Sequence, residues 1–158
     1  VISNNRFHKL LVSGNPVIAG FLYGKLSSIQ EQGIEVTYTF HISEFTSKIP
    51  VYLVVELVGN LLKNAINYSY KNTTIEIKLE QVDDKIRVSF KNKGDKIPEY
   101  KLNKIFEKFY RGDDSRATST GGAGLGLAIT KEIVELHKGT IKVNNDDEYI
   151  EFVIELNV

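Results

Sequence analysis

Glu56, Asn60 and Asn64 recur every four residues, and Asn67 follows close behind. They lie within the stretch 51–69, whose residue types and length predict a helix of about five turns after Pro50. On a helix, Glu56, Asn60 and Asn64 stack along one face over three turns, with Asn67 near the end of the row. Leu57, Val58, Leu61, Leu62, Ala65 and Ile66 form a broad apolar stripe on another face. Asparagine is a mediocre helix former, because its amide competes for backbone groups. Three asparagines on one otherwise apolar helix therefore need a reason. A solvated face would carry Lys, Glu and Gln, whereas this one offers neutral amides. A carboxamide oxygen is a hard, neutral ligand of the kind Mg²⁺ accepts, with phosphate oxygens and waters completing its shell. That chemistry is the holding of a metal-bound nucleotide, and it requires a phosphate cradle elsewhere.

Gly121-Gly122-Ala123-Gly124-Leu125-Gly126 supplies a candidate cradle ahead of a predicted helix. Glycines let backbone N–H groups close on an anion, and a helix N-terminus adds positive potential. Taken alone, the run reads equally well as a flexible loop. It is not a P-loop, since Leu127 and Ala128 stand where Lys and Ser/Thr are required. It is not a dinucleotide fingerprint either, because a polar segment rather than a strand precedes it.

The elements that must position these residues follow from periodicity. Asn15 and Pro16 mark a helix start, Val17, Ile18, Phe21, Leu22, Leu26 and Ile29 keep a helical period, and Gly33 is a stop. Ile34, Val36, Tyr38 and Phe40 alternate as a strand. Two more strands, around Ile75–Leu79 and Ile86–Phe90, are apolar on one face and charged on the other, with a turn at Asp83-Asp84. One-sided strands predict a sheet covered by helices on a single face. Residues 92–98 read as a loop, and Pro98 as the opening of a short helix running through Phe109. The polar stretch 111–122 reads as mobile, since it has little apolar surface to offset its conformational entropy. A helix is expected from about Gly124 to Lys138 with Gly139 as its stop. A hairpin of 140–143 and 148–156 follows, turning at Asn144–Asp147.

Length and composition set bounds. A chain of 158 residues fits one domain with a real core. Zero net charge argues against a dedicated nucleic-acid or membrane-surface binder. The absence of cysteine removes disulfides and thiolate metal sites. No apolar run approaches the roughly 20 residues of a membrane span. With no initiator Met or signal peptide, the chain is expected to be part of something longer.

Four segments occur in order: Asn60-Leu61-Leu62-Lys63-Asn64-Ala65, Asn92-Lys93-Gly94, Phe106-Glu107-Lys108-Phe109-Tyr110-Arg111, and Gly122-Ala123-Gly124-Leu125-Gly126-Leu127. Together they resemble the catalytic, ATP-binding domain of two-component sensor histidine kinases, within the superfamily of gyrase, the 90-kDa chaperone and MutL. The resemblance covers about 50–158, with 70–145 most similar to vancomycin-resistance-type sensor kinases. Residues 14–35 resemble the segment preceding this domain in citrate- and dicarboxylate-sensing kinases. The resemblance implies a two-layer α/β sandwich of the Bergerat type, with a mixed, mostly antiparallel sheet and helices on one face. Residues 1–13 show no clear period and read as a linker or the end of a preceding dimerisation region, with the catalytic ATP-binding domain over 14–158.

The resemblance also implies roles. Asn64 corresponds to the Mg²⁺ ligand, and Asn60 lines the phosphate side. Tyr68 flanks the adenine. Asn92 and Gly94 form the first glycine box, whose usual acidic residue accepts from the adenine amino group. Phe106 and Phe109 anchor a lid, and Arg111 reaches the terminal phosphate. Gly122, Gly124, Leu125 and Gly126 make the second glycine box. Asn60, Asn64 and Arg111 are the catalytic candidates. Two positions depart from the pattern: Asn92 is uncharged, and Asn67 stands where a basic residue is common. His8, His41 and His137 lack the setting of many phosphoacceptor boxes, so the phosphoacceptor domain is expected outside this chain. The expected function is transfer of the γ-phosphoryl of Mg-ATP to a histidine on a separate dimerisation domain. The expected partners are that domain and a response regulator, with no nucleic acid and with this piece a monomer. It is expected in the cytoplasm as part of a membrane-anchored sensor. The rivals are an ATP hydrolase of the gyrase or chaperone type and a non-catalytic module that kept the fold.

Overall fold

A computed structural model describes residues 16–41, 50–110 and 125–157. Helix α1 spans Pro16–Gln30, strand β1 Glu35–His41, helix α2 Val51–Tyr68, strand β2 Thr74–Val82 and strand β3 Lys85–Lys93. A short helix α3, Glu99–Leu102, and a 3₁₀ turn, Lys104–Phe106, follow. Helix α4 is Gly126–Leu136, and strands β4, Thr140–Asn145, and β5, Tyr149–Asn157, close the fold.

The five strands lie in the order β1-β2-β3-β5-β4. β1 and β2 are parallel, and every other pair is antiparallel. A parallel pair needs a crossover, and α2 is that crossover. Alternation decides what each face does. Ile75, Ile77 and Leu79 of β2, Ile86, Val88 and Phe90 of β3, and Ile150, Phe152, Ile154 and Leu156 of β5 are all buried. They join one core with Val54, Leu57, Val58, Leu61, Leu62 and Ala65 of α2 and with Leu127, Ile133 and Val134 of α4. Leu61 is fully buried, so truncating it to Ala costs about 3 kcal/mol. Of the predicted stripe on α2, only Ile66 is left partly exposed, packed against the edge of this core. On the opposite face Glu80, Arg87 and Glu155 share one row across three strands. Arg87 lies 3.5 Å from Glu80 and 3.3 Å from Glu155. Half-exposed pairs of this kind add little stability; their value is in keeping that face charged and wet.

Several boundaries differ from the sequence expectation. β3 continues through Asn92 and Lys93, which were expected in a loop, because both pair with β5 at Ile150 and Tyr149. α3 stops at Leu102, and the chain passes through the 3₁₀ turn instead of continuing helically to Phe109. β4 takes in Asn144 and Asn145, which pair with Glu151 and Ile150, so the turn is Asp146–Glu148. His41 is the last residue of β1, not a residue beyond it. α4 begins at Gly126, and the expected start at Gly124 lies outside the described residues. At its other end Lys138, with φ 59°, takes the left-handed position. Lys138 N donates to Glu135 O at 3.0 Å and Gly139 N to Val134 O at 2.8 Å, the paired bonds of a Schellman stop. Gly139 serves a different need: a Cβ there would stand 2.4 Å from the Glu155 carbonyl.

Candidate functional site

The helical period of α2 puts Asn60, Asn64 and Tyr68 on one row, four residues apart. The Asn64 amide is not free to turn. Its Nδ2 donates to the Asn60 carbonyl at 2.8 Å, so the Oδ1, a neutral acceptor, lies on the other side of the amide. Asn60 sits against the start of α4, where a Cβ on Gly126 would be 3.4 Å from Asn60 Oδ1. The Asn60 Nδ2 is buried without a hydrogen-bond partner among the described residues. Leu125 occupies the cap position of α4, and Thr130 holds the first turn by donating to Gly126 O at 2.8 Å. A helix N-terminus with its first N–H groups unpaired favours an anion.

The far end of the row meets β3. A Cβ on Gly94 would stand 1.9 Å from the Tyr68 carbonyl oxygen. Only glycine lets the end of β3 press against the end of α2 at that distance. Tyr70 N donates to Lys93 O at 2.9 Å, and the Tyr70 hydroxyl donates to Asp95. That bond to a carboxylate holds the Tyr70 phenol above its ordinary pKa. Asn92 lies beside this junction, its Nδ2 3.3 Å from where a Gly94 Cβ would be. Asn92 is 0% exposed, and neither Oδ1 nor Nδ2 has a partner among the described residues. A buried amide left unpaired costs about 1–3 kcal/mol for each polar group. Two such groups left unpaired beside Gly94 call for a partner that the described residues do not supply.

The loop after Gly94 is held by a contact that the sequence reading missed. Asn145 of β4 accepts from Ile97 N at 3.1 Å through Oδ1 and donates to Ile97 O through Nδ2. The amide thus pairs with loop backbone as a strand neighbour would. Lys96 adds an ion pair to Asp147 at 3.3 Å. The only sequence signal was the pair Asn144-Asn145, which reads first as turn chemistry.

Phe106 is seated: its ring meets Phe152 edge-on at 6.5 Å, and Lys131 lies 5.6 Å from its centre. Phe109 is 71% exposed with φ 64°, a backbone setting that costs a bulky residue energy. Asn67 is half-buried on α2. Arg111, Gly122 and Gly124, and with them the lid expected over 111–122, lie outside the described residues, as does His8. The structure therefore brings Asn60, Asn64, Gly126 and Leu125 together at one end, and Tyr68, Asn92 and Gly94 at the other, with α2 joining them.

These residues suit a nucleoside triphosphate. An unpaired buried amide is chemically able to pair with a base edge, and a helix N-terminus is able to take phosphate. Among the described residues no group of three or more His, Cys, Asp or Glu could hold a metal. A cation here would depend on ligand phosphates together with the neutral Asn64 oxygen.

Comparison with known proteins agrees. Residues 51–158 match the family model described as histidine kinase-, DNA gyrase B-, and HSP90-like ATPase. The sensor protein VanS of Enterococcus faecium is 48% identical over 103 residues, which are 65% of this chain and 27% of VanS. The sensor histidine kinase CusS of Escherichia coli is 41% identical over 99 residues, 63% of this chain and 21% of CusS. The chain thus spans a minor part of the curated relatives it matches. Among solved structures, the catalytic domain of histidine kinase ThkA superposes with a TM-score of 0.79 at 27% identity, covering 92% of each chain.

Proposed function

The chain belongs to the histidine kinase-, DNA gyrase B- and HSP90-like ATPases, as a catalytic domain of the histidine kinase kind, and from that premise we propose that it presents Mg-ATP to a histidine on a separate dimerisation domain. The observation that carries this reading is the row on α2. It begins at Asn60, beside the α4 N-terminus at Gly126, and ends at Tyr68, against Gly94 and near the buried unpaired amide of Asn92 on β3. Bound ATP supplies the γ-phosphoryl group, and Mg²⁺ neutralises charge on the phosphates. Asn92 and Tyr68 would hold the base. Asn60, Gly126 and the first N–H groups of α4 would orient the phosphates, and the Asn64 oxygen would fix the cation. Arg111, Gly122 and Gly124 are proposed to complete the phosphate side. Catalysis by such groups is positioning and charge neutralisation.

The hydrolase reading needs a general base one turn before the metal ligand. That place holds Asn60, whose amide cannot take a proton from water. Glu56 would serve only if Asn60 bound the metal. The proposed partners are the dimerisation domain and a response regulator, and the proposed setting is the cytoplasmic side of a membrane-anchored sensor. Among the described residues no helix is long and apolar enough to cross a membrane.

The test is a titration of ATP with and without Mg²⁺, followed by addition of a separately produced phosphoacceptor domain. Saturable Mg-dependent binding and acid-labile label on that domain are expected. Binding without transfer would favour a module that kept only the nucleotide. No binding would remove the proposal.

A further inference from the structure

Asn92 and Asn64 are both amides in the site, but only one has its orientation set. Asn64 Nδ2 is committed to the Asn60 carbonyl. The Asn92 Oδ1 and Nδ2 are both buried, and no described residue bonds either. Across the strand from it stands Ile150, and beside it lies Gly94. An asparagine amide carries an acceptor and a donor side by side, and turning it by half a rotation exchanges them. A 6-amino purine presents a donor at its amino group beside an acceptor at N1. A 6-oxo purine presents an acceptor at O6 beside a donor at N1. The two edges are mirror patterns, and one amide complements each in turn. A carboxylate only accepts, so on either edge it meets one donor and one acceptor and cannot pair with both.

Resting on the reading of this pocket as a nucleoside triphosphate site, we infer that Asn92 makes it a reader of purines, taking 6-oxo as well as 6-amino bases. ATP, ITP and GTP are then all ligands. The other parts of the site, Asn60, Asn64 and Gly126, would read phosphate and cation, which the three share. Discrimination is left to the base edge, where the amide adapts.

The experiment titrates ATP, ITP and GTP, each with Mg²⁺, against the unaltered chain and against Asn92→Leu. ITP carries the 6-oxo edge without the 2-amino group of guanine, so it separates edge reading from exclusion of that group. On the unaltered chain, dissociation constants for ATP and ITP within about tenfold are expected. Asn92→Leu has nearly the same shape but neither acceptor nor donor, so it should weaken ATP and ITP alike, by about tenfold or more. Because that variant also changes the polarity of a buried position, the ITP result on the unaltered chain stands as an independent arm. GTP weaker than ITP supports the edge reading and assigns the difference to the 2-amino group. ITP weaker than ATP by about a hundredfold or more overturns the inference. So does a folded Asn92→Leu protein that binds ATP and ITP as tightly as the unaltered chain does. A chain that binds none of the three sinks the site reading itself, and the ATP arm tells that failure apart from this one.

Discussion

A single methyl group decides the geometry at residue 94. Gly94→Ala would put a Cβ 1.9 Å from the Tyr68 carbonyl, and neither backbone can yield without parting α2 from β3. The expected loss is about 3 kcal/mol or more, read as a lower denaturation midpoint. Nucleotide affinity should fall with it, since Asn92 lies at the same junction. A midpoint within experimental error of the unaltered chain would mean that the contact is not as close as the structure has it. Asn64→Ala should behave in the opposite way. Alanine is the better helix former by roughly 0.5 kcal/mol, and the bond lost, Nδ2 to the Asn60 carbonyl, is a local one on a half-buried residue. Thermal stability should therefore hold while the Mg-dependent part of ATP affinity disappears. Transfer to a supplied phosphoacceptor domain should fall by orders of magnitude. Unchanged Mg dependence would remove Asn64 from the site. At this scale the row on α2 was legible, because a helix places side chains by arithmetic. The state of each amide was not: that Asn64 is tied back and Asn92 is unpaired depends on what packs against them.

Elements were easiest to read where burial is one-sided. β2, β3 and β5 alternate cleanly, and their charged face forms the row Glu80, Arg87 and Glu155. Their ends were harder to read. Asn92, Lys93, Asn144 and Asn145 have poor strand propensity, yet pairing with β5 extends β3 and β4 through them. The C-terminal stop of α4 was misplaced by one residue for a related reason. Gly139 is there for its close approach to Glu155, and Lys138 bears the left-handed backbone. A non-glycine residue in that conformation costs about 1–2 kcal/mol, and glycine recovers part of it after its larger unfolded-state entropy is counted, about 0.4–1 kcal/mol. Lys138→Gly should thus stabilise the domain by up to about 1 kcal/mol, seen as a higher melting temperature. A fall of that size would show that Lys138 carries a contact worth more than the strain. The β4–β5 turn gives a pH signature. Asp146 accepts from Tyr149 N at 2.6 Å and Glu148 N at 2.8 Å, and these bonds hold its carboxyl below the usual carboxylate range. A lowered folded pKa means the turn is supported above the ordinary Asp value, about 3.9. That support is lost as pH falls through the folded value. The amide shift of Tyr149 should titrate with a midpoint below that of an unstructured Asp, and Asp146→Asn should abolish the titration. A midpoint at or above the ordinary value would mean the carboxylate does not cap the turn.

At the scale of the whole molecule, one helix serves two ends. α2 is the crossover that makes β1 and β2 parallel, the main apolar partner of the sheet, and the rod that sets Asn60 and Tyr68 apart. Core and candidate site therefore share one helix, so the period that marks its apolar stripe also marks the row of amides beside it. The loop clamp by Asn145 escaped notice because it joins residues far apart in sequence, Asn145 and Ile97. The same wholeness bears on what this chain can phosphorylate. His137 is engaged at the end of α4, its Nδ1 2.8 Å from the Ile133 carbonyl. It stands at the C-terminal end of α4, whereas the proposed phosphate groups lie at its N-terminal end, eleven residues of helix away. A helix of that length spans about 16 Å at 1.5 Å per residue, too far for direct attack by a nitrogen that must approach to about 3–3.5 Å. His41 ends β1 at one edge of the sheet, across from the β5–β4 side. His8 has no phosphoacceptor setting in the sequence. Incubated alone with radiolabelled Mg-ATP, the chain should bind nucleotide and yet carry no acid-labile label. The same protein mixed with a dimerisation domain should label that domain, because the transfer needs only a histidine that can come to the open phosphate end. Stoichiometric label on the isolated chain, lost in His8→Ala, would make the N-terminal stretch a phosphoacceptor and overturn the division of labour proposed here.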